Sequence, residues 1–134
     1  MPTIGVFSNP SISVPVAADG IKPYAGDVSE VFTTSSVFES KKTLRFIKHA
    51  DIYRPGSLTI GAELKTTSGS YHLGVFLNDG IAINLTGTHT AYTLRAASIG
   101  MGAYAEGIHE LDFRLKNIGP GTCFLKLTDI YLID

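Results

Sequence analysis

Apolar and polar residues alternate along much of this chain. Leu58, Ile60, Ala62 and Leu64 alternate with Thr59, Gly61, Glu63 and Lys65, the period of two that marks a strand with one buried face. Residues 71–77 repeat the pattern with Leu73, Val75 and Leu77 on one side. Asn78-Asp79-Gly80 interrupts it, and Ile81, Ile83 and Leu85 resume it. Asn, Asp and Gly tolerate positive φ, so the interruption predicts a hairpin turn between two strands.

The amino-terminal third is less regular. Residues 3–7 predict a short edge strand, and residues 8–10 a turn. Ile12, Val14 and Val16 alternate with Ser11, Ser13 and Pro15; proline cannot donate to a ladder, so this strand belongs on an edge. Asp19-Gly20, Pro23 and Gly26 predict a loop over residues 17–27, and residues 29–34 a short strand. Residues 39–50 fit two patterns: Leu44 and Phe46 alternate with Thr43 and Arg45, while Lys41, Lys42, Arg45 and Lys48 also suit a helical turn or two. Strand is favoured because the neighbours are strands, and Arg54-Pro55-Gly56 ends it in a turn.

Beyond the hairpin, residues 86–90 read as a polar connector, and residues 91–99 as a strand with Tyr92, Leu94 and Ala96 on one face. The glycines of residues 100–107 predict a loop or a bulged bend. Residues 109–116 place Leu111, Phe113 and Leu115 inward and Asp112, Arg114 and Lys116 outward, and residues 117–121 form a Gly-Pro-Gly turn region. In the last strand Cys123, Leu125 and Leu127 share one parity while Ile130 and Leu132 share the other, which predicts a bulge near Thr128-Asp129. About nine strands with no convincing helix predict an all-β fold, an antiparallel jelly-roll-like β-sandwich.

Composition sharpens this picture. At 134 residues the chain is expected to form a single β-sandwich domain over residues 1–134. A net charge of -1 argues against a nucleic-acid binder, which needs a clustered positive field. The single cysteine, Cys123, excludes an internal disulfide and sits in an apolar run, so it reads as a small core residue. No apolar run approaches the roughly 20 residues of a membrane helix, so no membrane insertion is expected. The first residues lack a signal-peptide pattern, and synthesis in the cytoplasm is expected.

Three stretches carry a resemblance: Phe7-Ser8-Asn9-Pro10-Ser11-Ile12, Gly107-Ile108-His109-Glu110-Leu111-Asp112-Phe113-Arg114-Leu115 and Leu127-Thr128-Asp129-Ile130-Tyr131-Leu132. In this order they resemble jelly-roll carbohydrate-binding modules, which often open on an Asn-Pro turn and close on an Asp-apolar-x-apolar strand. The chain is also similar to the small sandwich domains of bacteriophage tail spikes, tail fibres and capsid decorations. The resemblance implies a non-catalytic module that binds a surface polysaccharide or receptor on a phage particle. Its alternative is a structural virion protein docking on other virion proteins, a homotrimer on the virion surface. It also implies a structural calcium ion (Ca2+), with Asn9 and Asp129 matching the positions that would hold it. Such modules commonly stack sugars on Trp, which is absent here, so stacking falls to Tyr24, Tyr53, Tyr92 or Tyr104. Tyr53, Tyr92 and Tyr104 are the expected ligand-binding residues.

Other chemistry finds less support in the residues. His49, His72, His89 and His109 show no short metal-ligand spacing. Glu63 and Asp112 face outward on separate strands, so they make a poor acid/base pair, and Glu110 with Asp112 reads as a solubilising pair. Ser68-Gly69-Ser70 lacks the frame of a nucleophile elbow, and Gly100-Met101-Gly102 that of a phosphate loop. No catalytic residue is expected. Lys41, Lys42, Arg45 and Lys48 form the one basic cluster, read as a solvated edge guarded by lysine.

Overall fold

The computed structural model describes residues 5–7, 21–48, 57–102 and 104–133. Its strands are β1 (Gly5–Phe7), β2 (Ile21–Asp27), β3 (Val31–Thr33), β4 (Glu39–Lys48), β5 (Ser57–Thr66), β6 (Ser70–Leu77), β7 (Gly80–Gly87), β8 (Thr93–Gly100), β9 (Gly107–Ile118) and β10 (Cys123–Ile133). They form two antiparallel sheets. One, sheet A, has the order β1-β4-β9-β6-β7; the other, sheet B, has the order β2-β10-β5-β8, with β3 also pairing β10. Neighbours in each sheet are mostly distant in sequence, which is the mark of a sandwich rather than a meander.

The alternation places the core. Leu58, Ile60, Ala62 and Leu64 of β5 are fully buried against Leu73 and Val75 of β6 and Leu111, Phe113 and Leu115 of β9. Cys123 lies in the same core, and burial pushes its thiol up to about 11, so it is an unreactive apolar residue. The β6–β7 turn is a two-residue hairpin with Asn78 and Asp79 at φ 52° and 68°, as the Asn-Asp-Gly signal predicts. At the opposite end Asn117, fully buried, accepts the Thr66 hydroxyl at 2.7 Å and donates to the Ser68 carbonyl at 3.1 Å. This ties the β5–β6 loop to β9.

One element changes type. Residues 21–27 are not loop but β2, which occupies the outside of sheet B against β10. Pro23 is tolerated there because, among the described residues, β2 pairs on one side only, and because the register shifts between Ile130 and Tyr131 beside it. The bulge expected in β10 is present, with the register against β5 shifting between Leu125 and Thr128. It leaves Leu127 half-buried and turns Thr128 and Ile130 to the core. The face of β8 that carries Leu94 and Ala96 is its solvent side, with Leu94 68% exposed. The strand predicted over residues 11–16 lies outside the described residues.

The basic cluster is the largest correction. β4 pairs β9 along its length and β1 at residues 44–46, so that part of it is not an edge. Its register against β9 shifts between Ser40 and Lys42, a bulge that turns Ser40 outward and Lys42 inward with Leu44 and Phe46. The Lys42 ammonium is fully buried between the sheets, 3.7 Å from Asp27 Oδ2, and donates to the Ser29 carbonyl at 3.0 Å and Thr128 Oγ1 at 3.1 Å. Burial pulls its amine below the usual lysine range, and the Asp27 carboxylate opposes that pull. The pair joins β4 of sheet A to β2 and β10 of sheet B.

Candidate functional site

The outward side chains of sheet B meet in lateral rows, because register sets which residues stand side by side. Phe124 of β10 lies opposite Phe32 of β3 on one side and Lys65 of β5 on the other. Tyr92, just before β8, continues the row: Lys65 Nζ is 4.5 Å from its ring centroid and 4.9 Å from that of Phe124. Lys126 Nζ lies 5.5 Å from the Tyr92 ring as well. The Phe32 and Phe124 rings are tilted with centroids 6.0 Å apart.

The row is an aromatic surface with polar handles. Phe32 is 58% exposed, and Leu94 beside Glu63 extends the apolar area on the β8 side. The Tyr92 phenol donates to the Glu30 carboxylate, which fixes the ring across the sheet. Burial first, and then this carboxylate, push the Tyr92 hydroxyl well above the usual tyrosine range, so it stays a neutral donor. Such a surface offers ring faces for apolar patches, with ammonium and carboxylate groups beside them for hydroxyls.

Sequence reading singled out Tyr92, and the structure places it beside Lys65, Lys126 and Glu30, at one end of the row that runs through Phe124 to Phe32. Tyr104 lies elsewhere: it is half-buried, packs against the core and meets His109 edge-on at 5.9 Å. Tyr53 and Asn9 lie outside the described residues, and so does the side chain of Tyr24. Phe32 and Phe124 escaped the sequence reading. The signal was present, since Phe124 sits out of parity between Cys123 and Leu125, an aromatic on the solvent side of a strand. Its meaning depended on Phe32 and Tyr92 arriving beside it.

Glu63 and Asp112 occupy the outer faces of opposite sheets, so no catalytic carboxylate pair forms from them. Asp112 is instead bound by Arg114 at 2.6 Å and by the Ser40 hydroxyl, and Glu110 by Arg45 at 2.9 Å. His89 bonds the Tyr71 hydroxyl at 2.7 Å, and His109 bonds Asn78 at 2.9 Å and the Ala105 carbonyl at 2.7 Å. Among the described residues no group of three or more His, Cys, Asp or Glu converges as metal ligands would.

Two solved structures share this architecture. One is a CBM36 carbohydrate-binding module in complex with calcium and xylotriose, with a TM-score of 0.52 and 7% identity, covering 94% of this chain and 98% of that one. The other is the CBM36-1 domain of a multidomain xylanase from the hindgut metagenome of Trinervitermes trinervoides. It has a TM-score of 0.50 and 3% identity, covering 76% of this chain and 96% of that one. The chain therefore has the jelly-roll β-sandwich fold found in carbohydrate-binding modules. No protein-family model and no curated protein sequence matches it.

Asp129 lies on the solvent-facing parity of β10, between Gly26 of β2 and Gly61 of β5. Calcium takes six to eight oxygens, and two flanking glycines bring no side-chain oxygen. Asn9, the other residue of the calcium expectation, lies outside the described residues.

Proposed function

We propose that this domain is a non-catalytic glycan-binding module whose ligand rests on the outer face of sheet B. The observation that carries the reading is the row Phe32, Phe124, Lys65 and Tyr92. Strands stand about 4.8 Å apart, so a row crossing four neighbouring segments runs roughly 14 Å. That length suits a short run of sugar rings laid across the strands. The C–H faces of pyranoses pack on aromatic rings, while Lys65, Lys126, Glu30 and Glu63 provide donors and acceptors at the rim. Fold neighbours of carbohydrate-binding type support the same reading.

The test is a glycan array followed by calorimetric titration of the best binder, with xylotriose and soluble xylan included. Tyr92→Ala is expected to weaken binding at least about tenfold, as loss of one stacked ring of about 1.5 kcal/mol does. A wild-type protein that binds no glycan, or a Tyr92→Ala variant that binds as well as wild type, overturns the proposal. Display on a phage particle is the finer form of this reading. Its support is the low charge content of 17%, which suits a domain with covered surface. A light-scattering mass of three chains supports that form, and a monomer at all concentrations removes the trimer.

A further inference from the structure

The aromatic row does not end at an open margin. Its last ring, Phe32, also lines a depression of about 340 Å³ with Glu30, Thr34, Glu39 and Lys41. That volume lies at the lower end of the roughly 300–1,000 Å³ typical of small-ligand sites. β3 hangs on sheet B through β10, whereas Glu39 and Lys41 come from β4 of sheet A. The depression thus sits where the two sheets part.

Its lining differs in kind from the row. The Thr33 hydroxyl donates to Glu39 and accepts the Ser35 amide at 3.0 Å, and Lys41 Nζ lies 3.4 Å from Glu39 Oε1. The Thr33 hydroxyl above all, with Lys41 adding to it, holds the Glu39 carboxyl below the usual range, so it is a ready acceptor. Both Glu39 and Lys41 keep part of their side chains open to ligand, 47% and 24%. Glu30 belongs to both places, since it lines the depression and anchors the Tyr92 phenol.

We infer that this depression is an end subsite that receives the terminal sugar of a glycan whose preceding rings lie on Phe32, Phe124 and Tyr92. The inference rests on the glycan-binding reading above. A flat row of rings reads stacked sugars without regard to chain ends. A chain running past Phe32 meets Glu39 and Lys41 of β4. A terminal sugar carries one hydroxyl more than an internal one, because no glycosidic bond consumes it. A fixed carboxylate and ammonium are the groups that reward that extra hydroxyl.

The test compares oligosaccharides of increasing length with the corresponding polymers, first on an array and then by titration. The proteins are wild type, Tyr92→Ala, Lys41→Ala and the double variant Glu39→Gln with Lys41→Ala. Glu39→Gln keeps an acceptor for Thr33, and Lys41→Ala alone leaves the Thr33–Glu39 bond intact, so one variant stays informative if the other fails to fold. Per mole of sugar, the wild type should favour oligosaccharides over polymer. The depression variants should lose about tenfold on oligosaccharides, as loss of a charged hydrogen bond does, and little on polymer. Tyr92→Ala should lose on both. Dependence on Tyr92 with none on Glu39 or Lys41 sinks the end subsite and leaves the glycan reading standing. A wild type that binds neither oligosaccharide nor polymer sinks both.

Discussion

The outer faces of the two sheets carry similar residue types and differ in how their charges are held. On sheet A the arginines neutralise carboxylates. Arg114 bonds Asp112 at 2.6 Å and Asp79 at 2.5 Å while its guanidinium lies 4.1 Å from the Phe76 ring. Arg45 pairs with Glu110 at 2.9 Å, and Lys116 covers Phe38 at 4.5 Å. The Phe38 and Phe76 rings meet edge-on at 5.4 Å over Gly74. On sheet B, Lys65 and Lys126 rest on aromatic rings, and among the described residues neither makes an ion pair. A face whose carboxylates are held by arginines offers them less readily to a ligand. A face of rings and unpaired ammonium groups has something to exchange for one.

Both faces depend on the same joint between the sheets, so the severest way to break the contrast is to remove that joint. Lys42→Met leaves Asp27 buried without its cation and is expected to cost about 3–5 kcal/mol. Adding Asp27→Leu should recover much of the loss, since a well-packed apolar pair replaces a buried ion pair at little cost. Urea denaturation of the single and double variants checks this. A double variant no more stable than Lys42→Met would show that the pair contributes more than charge balance.

The next test lies on the faces themselves. A Cβ at Gly74 would come within 2.6 Å of Phe76 and 3.0 Å of Phe38, so Gly74→Ala must displace both rings. It should destabilise the domain by about 1–3 kcal/mol. A Cβ at Gly61 on sheet B meets only Leu94, at 3.9 Å. Gly61→Ala should stay within about 0.5 kcal/mol of wild type. Equal melting shifts for the two would erase the difference between a self-packed face and an open one.

The smallest effect concerns pH. Burial, and after it the Lys116 ammonium, push the His72 imidazole on sheet A below its ordinary value. As pH falls below about 6.5 the unfolded chain takes up a proton that the folded chain refuses. The contribution of His72 to stability is therefore present above that pH and is lost as pH drops toward the depressed folded value. His72→Gln should flatten the melting temperature between pH 7 and pH 5 by a small, measurable amount. An unchanged slope would mean that His72 titrates as it does in the unfolded chain.

Much of the fold could be read from alternation, and most of the site could not. The period of two at Leu58 to Leu64 and the Asn78-Asp79 turn are local signals, fixed by backbone geometry within a few residues. Pro23 misled because an outer strand tolerates what an inner strand does not, and position within a sheet is not a local property. Tyr92 stood out as an aromatic near a loop. Phe124 did not, because a single ring on a strand has no meaning until its neighbours are known.

The residue order alone determined that this chain folds as two layers of strands, with Leu, Ile, Val and Phe of one parity between them. Tertiary structure decided that Lys42 faces Asp27 inside, that β4 has a partner on both sides at residues 44–46, and that Phe32, Phe124, Lys65 and Tyr92 share a row. The physical reason is that side-chain parity is set along one strand, whereas lateral neighbours are set by hydrogen-bond register between strands far apart in the chain. A bulge at Lys41 or Lys126 changes that register and leaves no mark in composition.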